Sequence, residues 1–136
     1  MDETKILGGV DVMANIAVKD LAVAKAFYVG TLGLTAIDSE GDEAITFASG
    51  GSKVIVYRTE FAGTNKATSM TWDVGAAGIE KVVQGLNGKG VKFEHYDIPN
   101  GRHEGDVHVM GPLKVAWFKD PDGNTLCVFS RAGSID

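Results

Sequence analysis

The same order of predicted elements occurs twice in this chain, about seventy residues apart, and this duplication constrains the fold more than any other feature. Each half predicts a strand, a helix, another strand and then a hairpin that turns on glycine. Both hairpins carry an aromatic residue, a glycine and a second aromatic residue, with one position of slippage: Phe47, Gly51 and Tyr57 in the first half, and Phe118, Gly123 and Phe129 in the second. A repeat of this length indicates a duplicated half-domain rather than a solenoid unit.

Two amphipathic segments predict the helices. Asp20 is a good N-cap for a helix over residues 21–32, which Gly33 closes. The second helix has apolar residues at positions i, i+3, i+4 and i+7: Ile79, Val82, Val83 and Leu86. A strand is predicted at residues 91–96, and a long polar loop at residues 99–111.

Each half alone would leave one face of its sheet without a cover, so packing the two halves together is the natural way to bury apolar surface. The predicted fold class is α+β: two βαβββ repeats, at about residues 8–60 and 67–132, form paired curved mixed sheets around a central cleft, with the helices outside. We expect a single domain over residues 1–136. A length of 136 residues, of which 44% are hydrophobic, suits a globular protein with such a core.

Composition and charge exclude several classes of function. A net charge of −5 disfavours nucleic acids and anionic membranes as partners, because no basic run is present to neutralise phosphates. The single cysteine rules out an internal disulfide and a CxxC zinc site. The first residues do not read as a secretory signal, and no apolar run approaches the roughly 20 residues of a membrane span. We therefore expect a cytoplasmic protein.

Three groups of motifs resemble the vicinal oxygen chelate superfamily, which includes glyoxalase I, bleomycin resistance proteins and extradiol dioxygenases. They occur in the right order and span nearly the whole chain: VKDL, AFY and LGL at residues 18–21, 26–28 and 32–34, LNGKGV at residues 86–91, and WFKDPDGN at residues 117–124. The resemblance implies the two-repeat fold, a cleft for a small molecule and a homodimer.

In metal-binding members of that superfamily, each half supplies one ligand from its opening strand and one from its last strand. The matching positions here are Met13 in the first half, Ser69 or Thr71 on the opening strand of the second half, Cys127 on the last strand, and one residue within the aliphatic stretch 54–56. Divalent metals need roughly three or four imidazole, carboxylate or thiolate donors. This set does not supply them, so the resemblance implies neither a metal nor any other cofactor.

We therefore expect a metal-free binding protein that holds a small organic molecule, aromatic or antibiotic-like, in the cleft. The register of the superfamily places Met13, Asn15, Cys127 and Phe129 on the cleft side, where the Asn15 amide can hydrogen-bond a ligand. Aromatic side chains suit a flat or apolar ligand. With a histidine of the polar loop they complete the candidate ligand-binding set: Tyr57, Trp72, Tyr96, Trp117 and His103.

Two alternatives give the chain an active chemistry. In the first, His95, Tyr96 and Asp97 act as acid and base in a metal-independent isomerase or lyase reaction. In the second, His95, His103 and His108 hold a relocated divalent metal, although their spacing matches no tight ligand motif such as HExxH.

Several assignments stay open at this level. A lone cysteine on a buried strand usually behaves as a small apolar residue, and this competes with a reactive role for Cys127. Gly75 and Ala76 look inserted relative to the superfamily pattern. Strand alternation therefore does not settle which way Trp72 and Asp73 face.

Overall fold

The computed structural model describes residues 6–75 and 78–131 and shows two β-sheets with helices packed against them. The first sheet contains β1 (Ala14–Val18), β2 (Thr35–Glu40), β3 (Ala44–Ser49) and β4 (Ser52–Arg58). The second sheet contains β5 (Thr68–Asp73), β6 (Phe93–Glu94), β7 (Arg102–Glu104), β8 (Val107–Met110), β9 (Leu113–Lys119) and β10 (Thr125–Arg131). The helical elements are α1 (Leu21–Lys25), its π-helical continuation (Ala26–Thr31) and α2 (Ile79–Gly88).

Strand pairing repeats between the two halves. The first sheet has the order β1-β4-β3-β2, and the second has β5-β10-β9, followed by β8 and β7, with β6 also paired to β9. In each half the opening strand runs parallel to the last strand, β1 beside β4 and β5 beside β10. Both sheets are therefore mixed. The predicted α+β fold of two βαβββ repeats with paired mixed sheets is confirmed.

The helices begin and end close to the predicted positions. Asp20 caps α1, and its carboxylate accepts hydrogen bonds from the backbone N–H groups of Ala22 and Val23 at 2.8 and 3.1 Å. The helical conformation continues to Thr31, and Gly33 follows with a φ of +83°. Among the described residues, no helix has the length and apolar character that crossing a membrane requires.

One hydrophobic core joins the helix-bearing faces of the two sheets. Along β1 and β4 the buried residues alternate with more exposed ones, as expected when one face is covered. Both sheets and both helices contribute buried side chains to the same cluster, among them Ile16, Tyr28, Phe47, Ile79, Phe118 and Leu126. Because the covered faces share this core, the other face of each sheet points away from it.

The turn between β9 and β10 fastens the second half to the first. The Tyr28 hydroxyl donates a hydrogen bond to the buried Asp120 carboxylate at 2.7 Å. Asn124 donates its side-chain amide both to Asp120 at 2.8 Å and to the Ala17 carbonyl of β1 at 2.9 Å. Burial and the adjacent Asp120 carboxylate raise the pKa of Tyr28, so its hydroxyl stays a donor.

The segment predicted as a long polar loop contains a hairpin, and this corrects the sequence-based expectation. β7 pairs with β8 around Gly105, whose φ is +63°, and β8 pairs with the first part of β9. The physical reason is that Val107 and Val109 are buried, at 4% exposure each, so β8 adds to the core. β6 is correspondingly short and pairs only with Trp117 and Phe118.

Candidate functional site

The uncovered face of the second sheet carries much of the predicted site. In the strand register Cys127 lies opposite Trp117 on β9 and opposite Thr71 on β5. The Cys127 thiol donates to the Thr71 hydroxyl at 3.2 Å, so both side chains share this face. Phe129 follows Cys127 by two residues and therefore also lies there.

Four rings contact one another at the edge of this face. We call Tyr96, His103, His108 and Trp117 the aromatic cluster. Trp117 lies 4.9 Å from His108 and 5.3 Å from Tyr96 between ring centroids, and His103 lies 4.4 Å from His108. The β7–β8 hairpin makes this possible, because it sets His103 directly opposite His108. These near-perpendicular ring pairs are the arrangement that aromatic quadrupoles favour.

Two imidazoles of the cluster hold the backbone of one residue, Tyr96, from both sides. The Tyr96 N–H donates to Nε2 of His108 at 2.9 Å, and the Tyr96 carbonyl lies 3.0 Å from Nε2 of His103. His108 is 1% exposed. Burial, and after it the neighbouring His103, lowers the pKa of His108, which favours a neutral ring.

A pocket of about 490 Å³ opens beside these groups. Its walls include Tyr96, Asp97, Arg102, His103 and His108. The predicted ligand-binding residues Tyr96 and His103 thus line the same space as two predicted acid–base candidates, Asp97 and Tyr96 itself. The volume lies within the range of small-molecule pockets, about 300 to 1,000 Å³.

His95 belongs to a polar network beside the pocket. Its Nε2 lies 2.7 Å from the Asp106 carboxylate, which also accepts a hydrogen bond from the Asn87 side chain of α2 at 3.1 Å. The His95 contact, followed by the Asn87 bond, lowers the pKa of Asp106. The sequence analysis missed Asp106 and Asn87. Gly105 and Asp106 form a turn pair that could have indicated the hairpin.

Three predicted ligand-binding residues lie with the first sheet instead. Asn15 is exposed on β1, where it alternates with the buried Ile16. Tyr57 is 38% exposed and lies on the same face, because its β1 partner is Ala17. Met13 immediately precedes β1 and is 42% exposed. Within one chain these residues form a surface separate from the aromatic cluster.

Trp72 lies at the contact between the two halves and not in the aromatic cluster. Its indole N–H donates to the Ser49 hydroxyl of β3 at 3.0 Å, and its ring packs against the shared core. Asp73 accepts a hydrogen bond from the Gly75 N–H at 3.0 Å and is exposed. The two side chains therefore point to opposite faces of β5. Ala76, the second residue of the apparent insertion, lies outside the described residues.

The donors at the inherited metal positions do not fit a divalent metal. Thr71, rather than Ser69, lies directly beside Cys127, and burial raises the pKa of the Cys127 thiol, which disfavours the thiolate that binds metals. With the Met13 thioether and the aliphatic side chains of residues 54–56, this gives a thiol, a hydroxyl and a thioether. Within residues 6–75 and 78–131, no group of three His, Cys, Asp or Glu side chains is arranged to hold a metal.

The relocated metal centre is not favoured by the geometry either. Nε2 of His108 already accepts the Tyr96 N–H, and Nε2 of His103 faces the Tyr96 carbonyl. Nε2 of His95 is engaged by Asp106. A metal bound through these Nε2 atoms would have to displace the contacts.

Comparisons with known proteins agree with the fold. The model of the Glyoxalase/Bleomycin resistance protein/Dioxygenase superfamily matches residues 10–128. No curated protein matches the chain by sequence.

Among solved structures, the chain is similar to the fosfomycin resistance protein FosX from Listeria monocytogenes complexed with Mn(II) and sulfate ion, at a TM-score of 0.66 and 16% identity over 93% of this chain and 92% of that one. It is also similar to lactoylglutathione lyase from Agrobacterium tumefaciens, at a TM-score of 0.62 and 18% identity over 89% and 93%. A glyoxalase family protein from Enterococcus faecalis gives a TM-score of 0.68 and 18% identity over 90% and 98%. At these identities the similarity concerns the fold, and the family rests on the match over residues 10–128. The chain belongs to the Glyoxalase/Bleomycin resistance protein/Dioxygenase superfamily.

Proposed function

We propose that this chain binds a small organic molecule, aromatic or antibiotic-like, at the pocket beside the aromatic cluster, and that it does so without a metal. The observation that carries the proposal is the pocket of about 490 Å³ lined by Tyr96, His103 and His108. The Trp117 ring packs against two of these lining residues, Tyr96 and His108. Aromatic walls with a few polar groups are the usual lining of a site for a flat ligand.

The donor set at the inherited metal positions supports the metal-free part of the proposal. Cys127 and Thr71 hydrogen-bond each other instead of presenting charged donors. In metal analysis after incubation with Zn²⁺, Ni²⁺, Mn²⁺ and Fe²⁺, we expect a molar ratio near zero for protein without a histidine tag. A stoichiometric ratio that Cys127→Ser abolishes would contradict this.

A second copy of the chain is the partner we propose for the uncovered face of the first sheet. Members of the superfamily commonly form dimers. The face and the segment before β1 expose large apolar side chains, namely Val10, Val12, Met13 and Tyr57. Contact with the aromatic cluster of a second copy would bring Asn15 and Tyr57 to the face that carries Trp117. The cleft predicted from the sequence would then form between two copies.

The pocket and the family together support the proposed ligand class. Relatives in the superfamily include bleomycin resistance proteins, and a similar structure is a fosfomycin resistance protein. Sequestration of an antibiotic or other toxic aromatic compound is therefore our leading hypothesis. The expected cytoplasmic location suits such a role and stays a prediction.

Thermal unfolding with a library of aromatic metabolites and antibiotics tests the binding function. A ligand of the pocket raises the unfolding temperature in a concentration-dependent way. The two tryptophans provide a matched pair of variants: Trp117→Phe should change ligand affinity by about tenfold or more, and Trp72→Phe should leave it within about twofold, because Trp72 lies at the contact between the halves. A library without a single shift, or equal losses in both variants, would contradict the proposal.

A metal-independent lyase or isomerase is the second candidate, and the contact between His95 and Asp106 favours it. A carboxylate at 2.7 Å orients an imidazole for proton transfer, and Asp97 and Tyr96 line the adjacent pocket. A bell-shaped pH–rate profile that His95→Ala abolishes would support this function. Turnover that persists unchanged in His95→Ala would exclude His95 as the acid or base.

A further inference from the structure

The contacts of the Tyr96 peptide assign opposite roles to two neighbouring imidazoles. A backbone N–H can only donate and a backbone carbonyl can only accept. Nε2 of His108 must therefore carry a lone pair toward the Tyr96 N–H, at 2.9 Å. Nε2 of His103 must carry a proton toward the Tyr96 carbonyl, at 3.0 Å. A neutral His108 then has its proton on Nδ1, and a neutral His103 has its proton on Nε2.

These roles make the two contacts respond differently to acid. Protonation of His103 leaves its Nε2–H donor in place, so that contact survives. Protonation of His108 puts a hydrogen on Nε2, which can no longer accept from the Tyr96 N–H. The same ring is buried, and its Nδ1 has no hydrogen-bond partner among the described residues. A charged His108 would therefore lie away from solvent, with only the backbone of Val115 and Tyr96 to stabilise it.

We propose that His108 and His103 are positioning residues that fix the Tyr96 ring at the ligand pocket, and that protonation of His108 releases it. The side chain of Tyr96 depends on this peptide, because the residue lies after the short strand β6, beyond the last β6–β9 pair at Glu94. When the N–H bond is lost, Tyr96 can leave its contact with Trp117 at 5.3 Å. The pocket then loses one of its aromatic walls.

The surroundings of His108 support release rather than a stable charged ring. Charged and titratable groups lie on every neighbouring element: His95 and Asp97 after β6, Arg102, His103 and Glu104 on β7, Asp106 in the turn, and Lys114 on β9. Burial is the largest cause that lowers the pKa of His108, and His103 and His95 lower it further. The backbone of Val115 and Tyr96 raises it by less, so the pKa stays below its ordinary value. The Asp106 carboxylate is already engaged by His95 and Asn87.

The direction of the pH effect follows from linkage. In the released state His108 has its ordinary pKa of about 6.5, and in the folded state its pKa is lower. The neutral ring stabilises the state in which Tyr96 is held. This stabilisation is complete above about pH 6.5 and is lost as the pH falls through the folded pKa of His108. Between the two pKa values the released population rises about tenfold for each pH unit of acidification.

Amide hydrogen exchange at Tyr96 measures this population directly. After correction for the intrinsic rate, we expect exchange to be slow and independent of pH above about pH 7, and to accelerate about tenfold per pH unit below pH 6.5. A corrected rate that stays constant from pH 8 to the folded pKa would overturn the proposal. The ring nitrogens can be followed by ¹⁵N NMR in the wild-type protein at pH 7.5. The Nδ1–H form is expected for His108 and the Nε2–H form for His103, and an Nε2–H form at His108 would also overturn the proposal.

Three variants separate the positioning role from a general loss of structure. In His108→Gln the amide oxygen can accept from the Tyr96 N–H without titrating, so the acceleration in acid should disappear. His103→Gln keeps a donor for the Tyr96 carbonyl and should keep the acceleration. His95→Gln breaks the Asp106 contact and leaves the Tyr96 peptide held, so it should keep the acceleration as well. Equal pH dependence in His108→Gln and the wild type would contradict the assignment.

The consequence for ligands rests on the proposed function, but the measurements do not. Exchange and ¹⁵N NMR use the protein alone. If they succeed and no ligand of the pocket is found, the binding function fails and the pH-sensitive contact stands. If ligands bind and Tyr96 exchange is independent of pH, the contact fails and the binding function stands.

Discussion

The two halves of this molecule have the same strand pairing and differ in what their uncovered faces carry. In the first half this face presents Asn15, Ala17 and Tyr57, without a cluster of interacting rings. In the second half it presents Trp117 and Cys127, and the β7–β8 hairpin adds His103 and His108. The duplicated frame supplies the sheet, and the aromatic and imidazole groups of the candidate site are concentrated where the second half departs from the first.

Polar contacts of two kinds occur in the molecule: some join the two halves, and others lie within the second half. The Asp120 network is buried, joins the halves and repeats the family's turn motif. The contacts of His95 with Asp106 and of His103 with the Tyr96 carbonyl lie on one half, beside a pocket that His103 lines. We assign the first to stability and the second to function.

The buried network that joins the halves should contribute most to stability, and two carboxylates of the β9–β10 turn test this. Asp120→Ala removes the acceptor for the Tyr28 hydroxyl and for two groups of Asn124, and it leaves buried donors unpaired. We expect a loss of about 4 kcal/mol in the free energy of unfolding, measured by chemical denaturation. Asp122→Ala is the matched control, since its carboxylate accepts one exposed bond from the Lys19 N–H at 3.1 Å, and it should cost about 1 kcal/mol. Equal losses would contradict the central position of Asp120.

The uncovered face of the first sheet should matter for assembly. Tyr57→Lys places a charge in the proposed contact between copies and should weaken dimerisation by about 2 kcal/mol, or about thirtyfold in Kd. Val29→Lys is a matched control, because Val29 has the same 38% exposure but lies on the π-helical segment. Sedimentation equilibrium measures both. A monomeric wild type, or equal weakening in both variants, would rule out this face as the interface.

The hydrogen bond from Trp72 to Ser49 should contribute less to stability, through the contact between the two halves. Ser49→Ala leaves the indole N–H without its acceptor and should cost about 1 kcal/mol in thermal unfolding. In a Trp117→Phe background Trp72 is the one remaining tryptophan, and the wavelength of its fluorescence emission should shift as well. Ser52→Ala, at an exposed position across the same turn, should change neither quantity. If Ser49→Ala changes neither the stability nor the Trp72 emission, apolar packing alone holds this contact.

Loss of the Asp106 carboxylate should give the smallest effect on stability. Its lowered pKa means that its contribution is present above the ordinary carboxyl pKa of about 3.9 and is lost as the pH falls through the folded value. Asp106→Asn should therefore cost about 0.5 kcal/mol at pH 7 and nothing near pH 2. Glu43→Gln, which breaks the exposed contact with Arg58 in the first half, should cost still less. A larger loss of stability in Glu43→Gln than in Asp106→Asn would contradict this ranking of the two halves.

Local sequence signals predicted the frame of this fold well. Asp20 and Gly33 mark the ends of the first helix because capping depends on neighbouring residues alone. The turn at Gly123 fixed the register of the last hairpin, so the pairing of Cys127 with Trp117 follows from alternation.

The rest depends on contacts between distant parts of the chain. Polar residues from Arg102 to Asp106 concealed the β7–β8 hairpin, although the buried Val107 and Val109 require it. The facing of Trp72 was open because an apparent insertion follows β5, and its bond to Ser49 crosses between the two halves. The contacts of the Tyr96 peptide involve residues seven and twelve positions away, which no local pattern specifies.

The connection between β4 and β5, at residues 59–67, has a consequence for engineering. It links two pieces that share one core and are joined by the Asp120–Tyr28 and Asn124–Ala17 hydrogen bonds. Each piece alone would expose its apolar face and half of a polar network. Severing the chain in this connection should give two fragments that are unstructured separately and recombine on mixing. Such a pair would form a split reporter whose reassembly responds to any compound that binds the completed protein.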